Sequence, residues 1–138
     1  VKNKQAGHEK ITELYGNETI LVIDDKPSIL NLVTKILSNL GYTVLSAKDK
    51  DDAFARVRTH KGVLDLLLTD IVLPFKKGPE IAADLKKRHE QMKVLFMSGY
   101  ANGRIDHTSG KNGKLNFIFK PFTASGLAQK VRDVLDGK

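Results

Sequence analysis

From Thr19 onward the chain alternates between two hydrophobic rhythms. Thr19-Ile20-Leu21-Val22-Ile23 is a continuous apolar run rich in β-branched residues, the pattern of a strand buried on both faces. Ile29, Leu32, Val33, Ile36, Leu37 and Leu40 then recur at helical spacing, one stripe of an amphipathic helix. Pro27 stands where its first turn begins and Gly41 where it stops. The alternation repeats. Residues 42–47 predict a second strand, and residues 50–60 a helix on Ala53, Phe54 and Val57 opened by Asp49 or Asp51. Residues 64–69 predict the third strand, 78–89 a helix on Ile81, Ala82 and Leu85, 93–97 the fourth strand and 115–119 the fifth. The last helix, 124–136, carries Leu127, Val131, Val134 and Leu135 on one face, with Thr123 as its N-cap.

Residues 99–114 break the pattern. They hold Gly99, Gly103, Gly110 and Gly113 among polar residues, so helix propensity is low. Two buried parallel strands on either side still require a crossover, and a short, frayed or partly disordered helix is expected there. The sum is an α/β fold of the (βα)5 type, with a parallel five-stranded sheet and helices on both faces. The flavodoxin-like strand order 2-1-3-4-5 is expected, with ligands outside the carboxyl ends of the strands.

Length supports one core. The chain has 138 residues, 41% hydrophobic and 28% charged, which is globular composition. A polar tail or linker is expected over 1–17 and the domain over 18–138. There is no cysteine, which removes disulfide scaffolds, thiolate metal sites and cysteine nucleophiles. That lack suits a reducing cytoplasm, the location expected for the domain, and no apolar run approaches the roughly 18 residues of a membrane span, so no membrane contact is expected. The net charge is +7, and residues 76–138 supply it, with thirteen Lys/Arg against six Asp/Glu. A basic half can serve an acidic partner, but no basic run is interleaved with aromatics, so nucleic-acid binding is not expected. His8, His60, His89 and His107 share no motif spacing and are expected at the surface.

The strand assignments decide where the chemistry gathers. The first strand ends in Asp24-Asp25, the third in Asp70, the fourth in Ser98 and the fifth in Lys120-Pro121. Each alone is ordinary: Asp25 could open a helix, Asp70 or Ser98-Gly99 could make a turn, and Lys120 could lie at the surface. Together they place three carboxylates, a hydroxyl and an ammonium at one sheet edge. Two like charges 4 Å apart cost about 1 kcal/mol in water and about 4 kcal/mol at an effective dielectric of 20. Lys120 offsets one charge; a hard divalent cation with oxygen ligands, Mg2+ or Mn2+, would offset two more. That set suits phosphoryl transfer to a carboxylate. Asp70 is placed as nucleophile, Asp24 and Asp25 as metal ligands, and Lys120 and Ser98 as grips on the phosphoryl oxygens.

Four segments in order carry a resemblance: Ile20-Leu21-Val22-Ile23-Asp24-Asp25, Leu67-Leu68-Thr69-Asp70-Ile71-Val72-Leu73-Pro74, Val94-Leu95-Phe96-Met97-Ser98-Gly99-Tyr100 and Phe119-Lys120-Pro121-Phe122. Over residues 19–136 the chain resembles the receiver domain of two-component response regulators. The resemblance implies that Asp70 is the phosphoacceptor. It makes Asp24, Asp25, Asp70 and the Val72 carbonyl the metal site, and Ser98, Gly99 N–H and Lys120 the phosphate contacts. It implies a cis Lys120–Pro121 bond and makes Ser98 and Phe117 the switch pair. Phosphorylation would then remodel the face made by the fourth crossover, the fifth strand and the last helix. The expected donor is a sensor histidine kinase or a His-containing phosphotransfer domain. Such a domain catalyses only its own phosphorylation and dephosphorylation.

The wording of Val94–Tyr100 and of Lys120-Pro121-Phe122-Thr123 is closest to receivers attached to hybrid sensor histidine kinases. The start at Val1 suits a receiver cut from a longer, even membrane-anchored, kinase chain with further domains. Three departures stand out: Lys26 where Glu is frequent, Phe75-Lys76-Lys77 in place of a small Gly-rich loop, and Phe117 where Tyr is usual. Rival readings remain. A Mg2+-dependent hydrolase would need a second carboxylate where Val72 stands. A flavodoxin relative would need a Ser/Thr/Gly loop after the first strand. A receiver-like basic interaction module without phosphorylation would use the +7 alone.

Overall fold

The computed structural model describes residues 14–74, 76–99 and 116–138. Its elements are β1 (Thr19–Ile23), α1 (Pro27–Asn39), β2 (Thr43–Ala47), α2 (Lys50–Thr59), β3 (Leu66–Asp70), α3 (Gly78–Lys86), β4 (Lys93–Gly99), β5 (Phe117–Lys120) and α4 (Ala124–Leu135). The strands pair in parallel in the order β2-β1-β3-β4-β5, as the alternating rhythms predict. The expected frayed helix at 99–114 falls almost wholly outside the described residues.

The continuous apolar runs are explained by a core on each face of the sheet. Ile20, Val22, Leu66, Leu68, Leu95 and Met97 point to α1 and α4, where Val33, Leu37, Leu127 and Val131 meet them. Leu21, Ile23, Leu67 and Phe96 point the other way, to Ala53 of α2 and Ile81 and Leu85 of α3. Period-two alternation therefore sends Ile20 and Val22 of β1 into one core and Leu21 and Ile23 into the other. The Asp49 carboxylate caps α2 by accepting the Asp52 N–H at 2.8 Å, and the Thr123 hydroxyl caps α4 by accepting the Gly126 N–H at 2.9 Å.

Several boundaries differ from the expected ones, and they move the site. β3 begins at Leu66 rather than at 64; the Asp65 backbone before it already bonds to both neighbours, donating to the Thr19 carbonyl at 3.0 Å and accepting the Lys93 N–H at 2.9 Å, while its carboxylate accepts the Thr19 N–H at 2.8 Å. It runs on to include Asp70. β4 extends to Gly99 and β5 to Lys120, so Ser98 and Lys120 are themselves strand residues held by the ladder. α3 stops at Lys86, since the N–H groups of Arg88 and His89 both close onto the Leu85 carbonyl. Leu32, counted in the α1 stripe, is 48% exposed on its flank. His60 and His89 are half-buried rather than at the surface; His8 and His107 lie outside the described residues.

At the edge away from the strand carboxyl ends, residues 14–18 lie against the domain. Leu14 packs on the core, and the Gly16 N–H donates to the Leu40 carbonyl at 3.0 Å. The Arg132 guanidinium of α4 grips Glu18 with both forks, at 2.6 and 3.1 Å. That grip holds the Glu18 carboxyl below its ordinary pKa of 4.5. A carboxyl lowered on folding adds stability that is fully present above its ordinary value and is lost as pH falls through its folded value. Thermal unfolding should therefore show wild type ahead of Glu18→Gln by about 1 kcal/mol near neutrality, given the partial exposure of the pair. The gap should close as the pH is taken well below 4.5. A gap unchanged down to strongly acid pH would rule the ion pair out as its source.

Candidate functional site

Every strand that reaches the carboxyl edge at the centre of the sheet delivers one polar group there. β1 is fully buried along its length, so the residue that follows it, Asp24, leaves the strand with its side chain completely enclosed. Its carboxylate is held from two sides. Oδ1 accepts the backbone N–H of Lys26 at 2.9 Å, and Oδ2 accepts from Lys120 Nζ at 2.9 Å. Asp25 faces solvent and is not the N-cap of α1: that residue is Lys26, which makes no side-chain capping bond. The Asp25 carboxylate is thus left for the site.

Asp70 is the last residue of β3 and is 7% exposed. Lys120 Nζ lies 3.6 Å from its Oδ2, so one ammonium spans Asp24 and Asp70 and sits closer to Asp24. Burial pushes the Asp70 carboxyl above its ordinary pKa; Lys120 pulls against that rise and Asp24 adds to it. Oxygen atoms of Asp24, Asp25 and Asp70 all lie within 4.8 Å of one another. The donor set is oxygen only, which fits a hard divalent cation such as Mg2+ and disfavours zinc. Three carboxylates facing Lys120, with exposed Lys26 acting on Asp70 from the rim, leave negative charge for such an ion to offset.

The remaining expected residues fall around this cluster. Ser98 is buried at the end of β4, one pair along from Asp70, and its hydroxyl donates to the Gly99 carbonyl at 3.2 Å. Gly99 pairs with Lys120 across β4 and β5. Lys120–Pro121 is cis, as expected. Val72 follows Asp70 by two residues with its side chain 69% exposed. Phe117 begins β5 and is half-buried; its ring lies 5.8 Å from Phe96 and 6.4 Å from Phe119. Ile29, Leu32, Lys120, Pro121 and Phe122 line an apolar groove of about 480 Å3 beside the acidic cluster. Of the departures, Lys76 is tied to Asp84 of α3 at 2.7 Å, and Phe75 lies outside the described residues.

One residue here was not singled out from the sequence. The Gly78 N–H donates to the Ile71 carbonyl at 2.8 Å, closing the loop after Asp70. A Cβ at Gly78 would strike the Asp70 carbonyl oxygen and stand 3.2 Å from the Ile71 Cα. Its only signal was a Gly-Pro pair opening a helix just after the loop. Gly78→Ala is expected to destabilise the domain by about 1–3 kcal/mol, because the obstacle is backbone and cannot rotate away. Denaturant titration checks this, and an unchanged midpoint would show that the loop yields freely.

A family model described as response regulator receiver domain matches residues 20–132. The chain is 31% identical over 136 residues to Sensor kinase CckA of Brucella abortus, covering 99% of this chain and 14% of that protein. It is 34% identical over 110 residues to the nitrogen assimilation regulatory protein NtrX of Azorhizobium caulinodans, covering 78% of this chain and 24% of that protein. The chain thus spans a small part of these relatives. Among solved structures, a response regulator receiver domain protein from Clostridium thermocellum superposes with a TM-score of 0.74 at 26% identity, over 87% of this chain and 95% of that one.

Proposed function

This chain belongs to the response regulator receiver domain family of two-component systems, and on that premise we propose that it accepts a phosphoryl group on Asp70. The observation that carries the reading is the convergence of Asp24, Asp25 and Asp70 on one sheet edge, with Lys120 bridging two of them. In the proposed step an Asp70 oxygen attacks the phosphorus of a phosphohistidine. The P–N bond breaks, an aspartyl phosphate forms, and the departing imidazole takes up a proton. Lys120 swings its ammonium from Asp24 toward the transferring oxygens, and the Ser98 hydroxyl and Gly99 N–H donate to them. Asp24, Asp25, Asp70 and the Val72 carbonyl would hold Mg2+, which would supply positive charge against the oxygens of the incoming group. Water attack on the phosphorus later releases phosphate and restores the carboxylate.

The output reading follows from where Ser98 sits. Turning its hydroxyl from Gly99 to the phosphoryl group would free space toward β5, where Phe117 is packed on Phe96. That would shift the face of β5 and α4 between two states. The groove beside Lys120, with exposed Leu32, supports docking of a protein donor, a histidine kinase or a phosphotransfer domain. Likeness to Sensor kinase CckA over nearly the whole chain supports a place in a hybrid sensor kinase on the cytoplasmic side. Among the described residues no helix is long and apolar enough to cross a membrane.

Intact-mass spectrometry after incubation with acetyl phosphate tests the reading. One phosphoryl adduct is expected with Mg2+ and none with a chelator. A folded protein that takes no adduct under either condition would overturn it, and a basic interaction module would become the better account of the +7 charge.

A further inference from the structure

Arg132 makes more polar contacts than any other described side chain, and none of them belongs to the acidic site. Besides both oxygens of Glu18, its guanidinium donates to the Tyr42 hydroxyl at 3.1 Å, the Tyr15 carbonyl at 3.3 Å, and both oxygens of Asp136 at 2.8 and 3.1 Å. It is only 15% exposed. The surroundings admit little else. A Cβ on Gly16 would stand 2.5 Å from Arg132 Nη1 and 2.6 Å from Glu18 Oε1. Gly41, at φ +102°, has its own Cβ position 2.5 Å from the Gly16 carbonyl. Two glycines and a bidentate pair thus fix residues 14–18 against the end of α4 and the start of β2.

We infer that this latch is an intramolecular interface that couples the chain entering before Leu14 to the state of the phosphorylation edge, through α4. The route is short. α4 begins four residues after Lys120, which reaches Asp24 and Asp70, and Arg132 lies in its last turn. A 12-residue helix is about 18 Å long, so a shift at its start has only that distance to travel to the latch. Similarity also reaches past the family boundary. The family model begins at residue 20, whereas the match to Sensor kinase CckA covers 99% of this chain and so includes the latch.

The inference rests on the phosphoacceptor reading, and one experiment separates the two. Hydrogen exchange at the Gly16 amide is followed by NMR in wild type, Arg132→Ala and the milder Glu18→Gln, with Mg2+ alone and with Mg2+ plus beryllium fluoride. The Ser98 and Gly99 resonances report loading. Without the analogue, both variants should exchange faster at Gly16, Arg132→Ala by about tenfold. Loading should change Gly16 exchange in wild type by about fivefold or more, the lower end of allosteric coupling, and should leave Arg132→Ala unchanged. If Ser98 and Gly99 shift while Gly16 does not respond, the coupling is wrong and the phosphoacceptor reading stands. If Ser98 and Gly99 never shift, the phosphoacceptor reading fails and the coupling falls with it.

Discussion

Asp70→Asn is expected to take up no phosphoryl group and to melt at a higher temperature than wild type. The two effects share one cause. Asp70 is 7% exposed, its carboxylate faces those of Asp24 and Asp25, and burial already pushes its pKa up. Lys120 does not cancel this, because it lies closer to Asp24, at 2.9 Å against 3.6 Å. An amide of the same shape removes a buried charge and a repulsion at once. The gain should be about 1–2 kcal/mol, or roughly 3–6 °C in Tm for a domain of this size. The loss is complete because a neutral amide oxygen is a poor nucleophile toward phosphorus, and any adduct would be a cationic O-phosphoryl imidate that expels the neutral amide at once. Intact mass with acetyl phosphate and a melting curve are the two readouts. An adduct of undiminished yield would move the phosphoacceptor elsewhere. A fall in Tm would show that the carboxylate is stabilised by contacts beyond the Lys120 bridge.

Lys120→Met should do the reverse to stability. Among the described residues its ammonium is the only side-chain cation within 4 Å of fully enclosed Asp24, and it is 16% exposed itself. Removing one partner of a buried pair strands the other charge, a loss of about 3–5 kcal/mol when burial is complete. The residual exposure of Lys120 lowers that to about 2–4 kcal/mol, or roughly 10 °C in Tm. The adduct-forming rate should drop by about 10²- to 10³-fold, the loss typical of one oriented donor to a developing charge. Mg2+ should raise the Tm of this variant more than it raises that of wild type, since a divalent ion replaces the missing positive charge. Equal Mg2+ effects in the two proteins would mean that Lys120 and the metal do not answer the same carboxylates. A variant with full stability and full rate would remove Lys120 from the site.

The strand ends were legible because each is a local event. A β-branched run ending in Asp24-Asp25 announces both a buried strand and what stands at its end, within a few residues. The same holds for Asp70, Ser98 and Lys120, and the rules for parallel crossovers left a few strand orders, of which the common one is observed. Boundaries were less legible. Leu64 is apolar and buried, so pattern alone put it in β3, yet the strand starts two residues later, at Leu66. Leu32 matched the helical stripe and still lies exposed, because periodicity marks a face and not where its edge falls. Gly78 looked like a helix opener, and only the approach of the Asp70 backbone gives it a second role.

By itself the sequence determined the element types, the parallel order, the residues gathered at one edge and the chemistry they suit. Those depend on side-chain period and turn chemistry, which act over short windows of chain. The tertiary structure alone decided the distances. It set Lys120 nearer Asp24 than Asp70, turned the Lys26 N–H onto Asp24, and brought three carboxylates within 4.8 Å. It also joined Arg132 to Glu18, 114 positions away. Such pairings arise where separate elements pack, and neither partner's local sequence carries the geometry of that meeting.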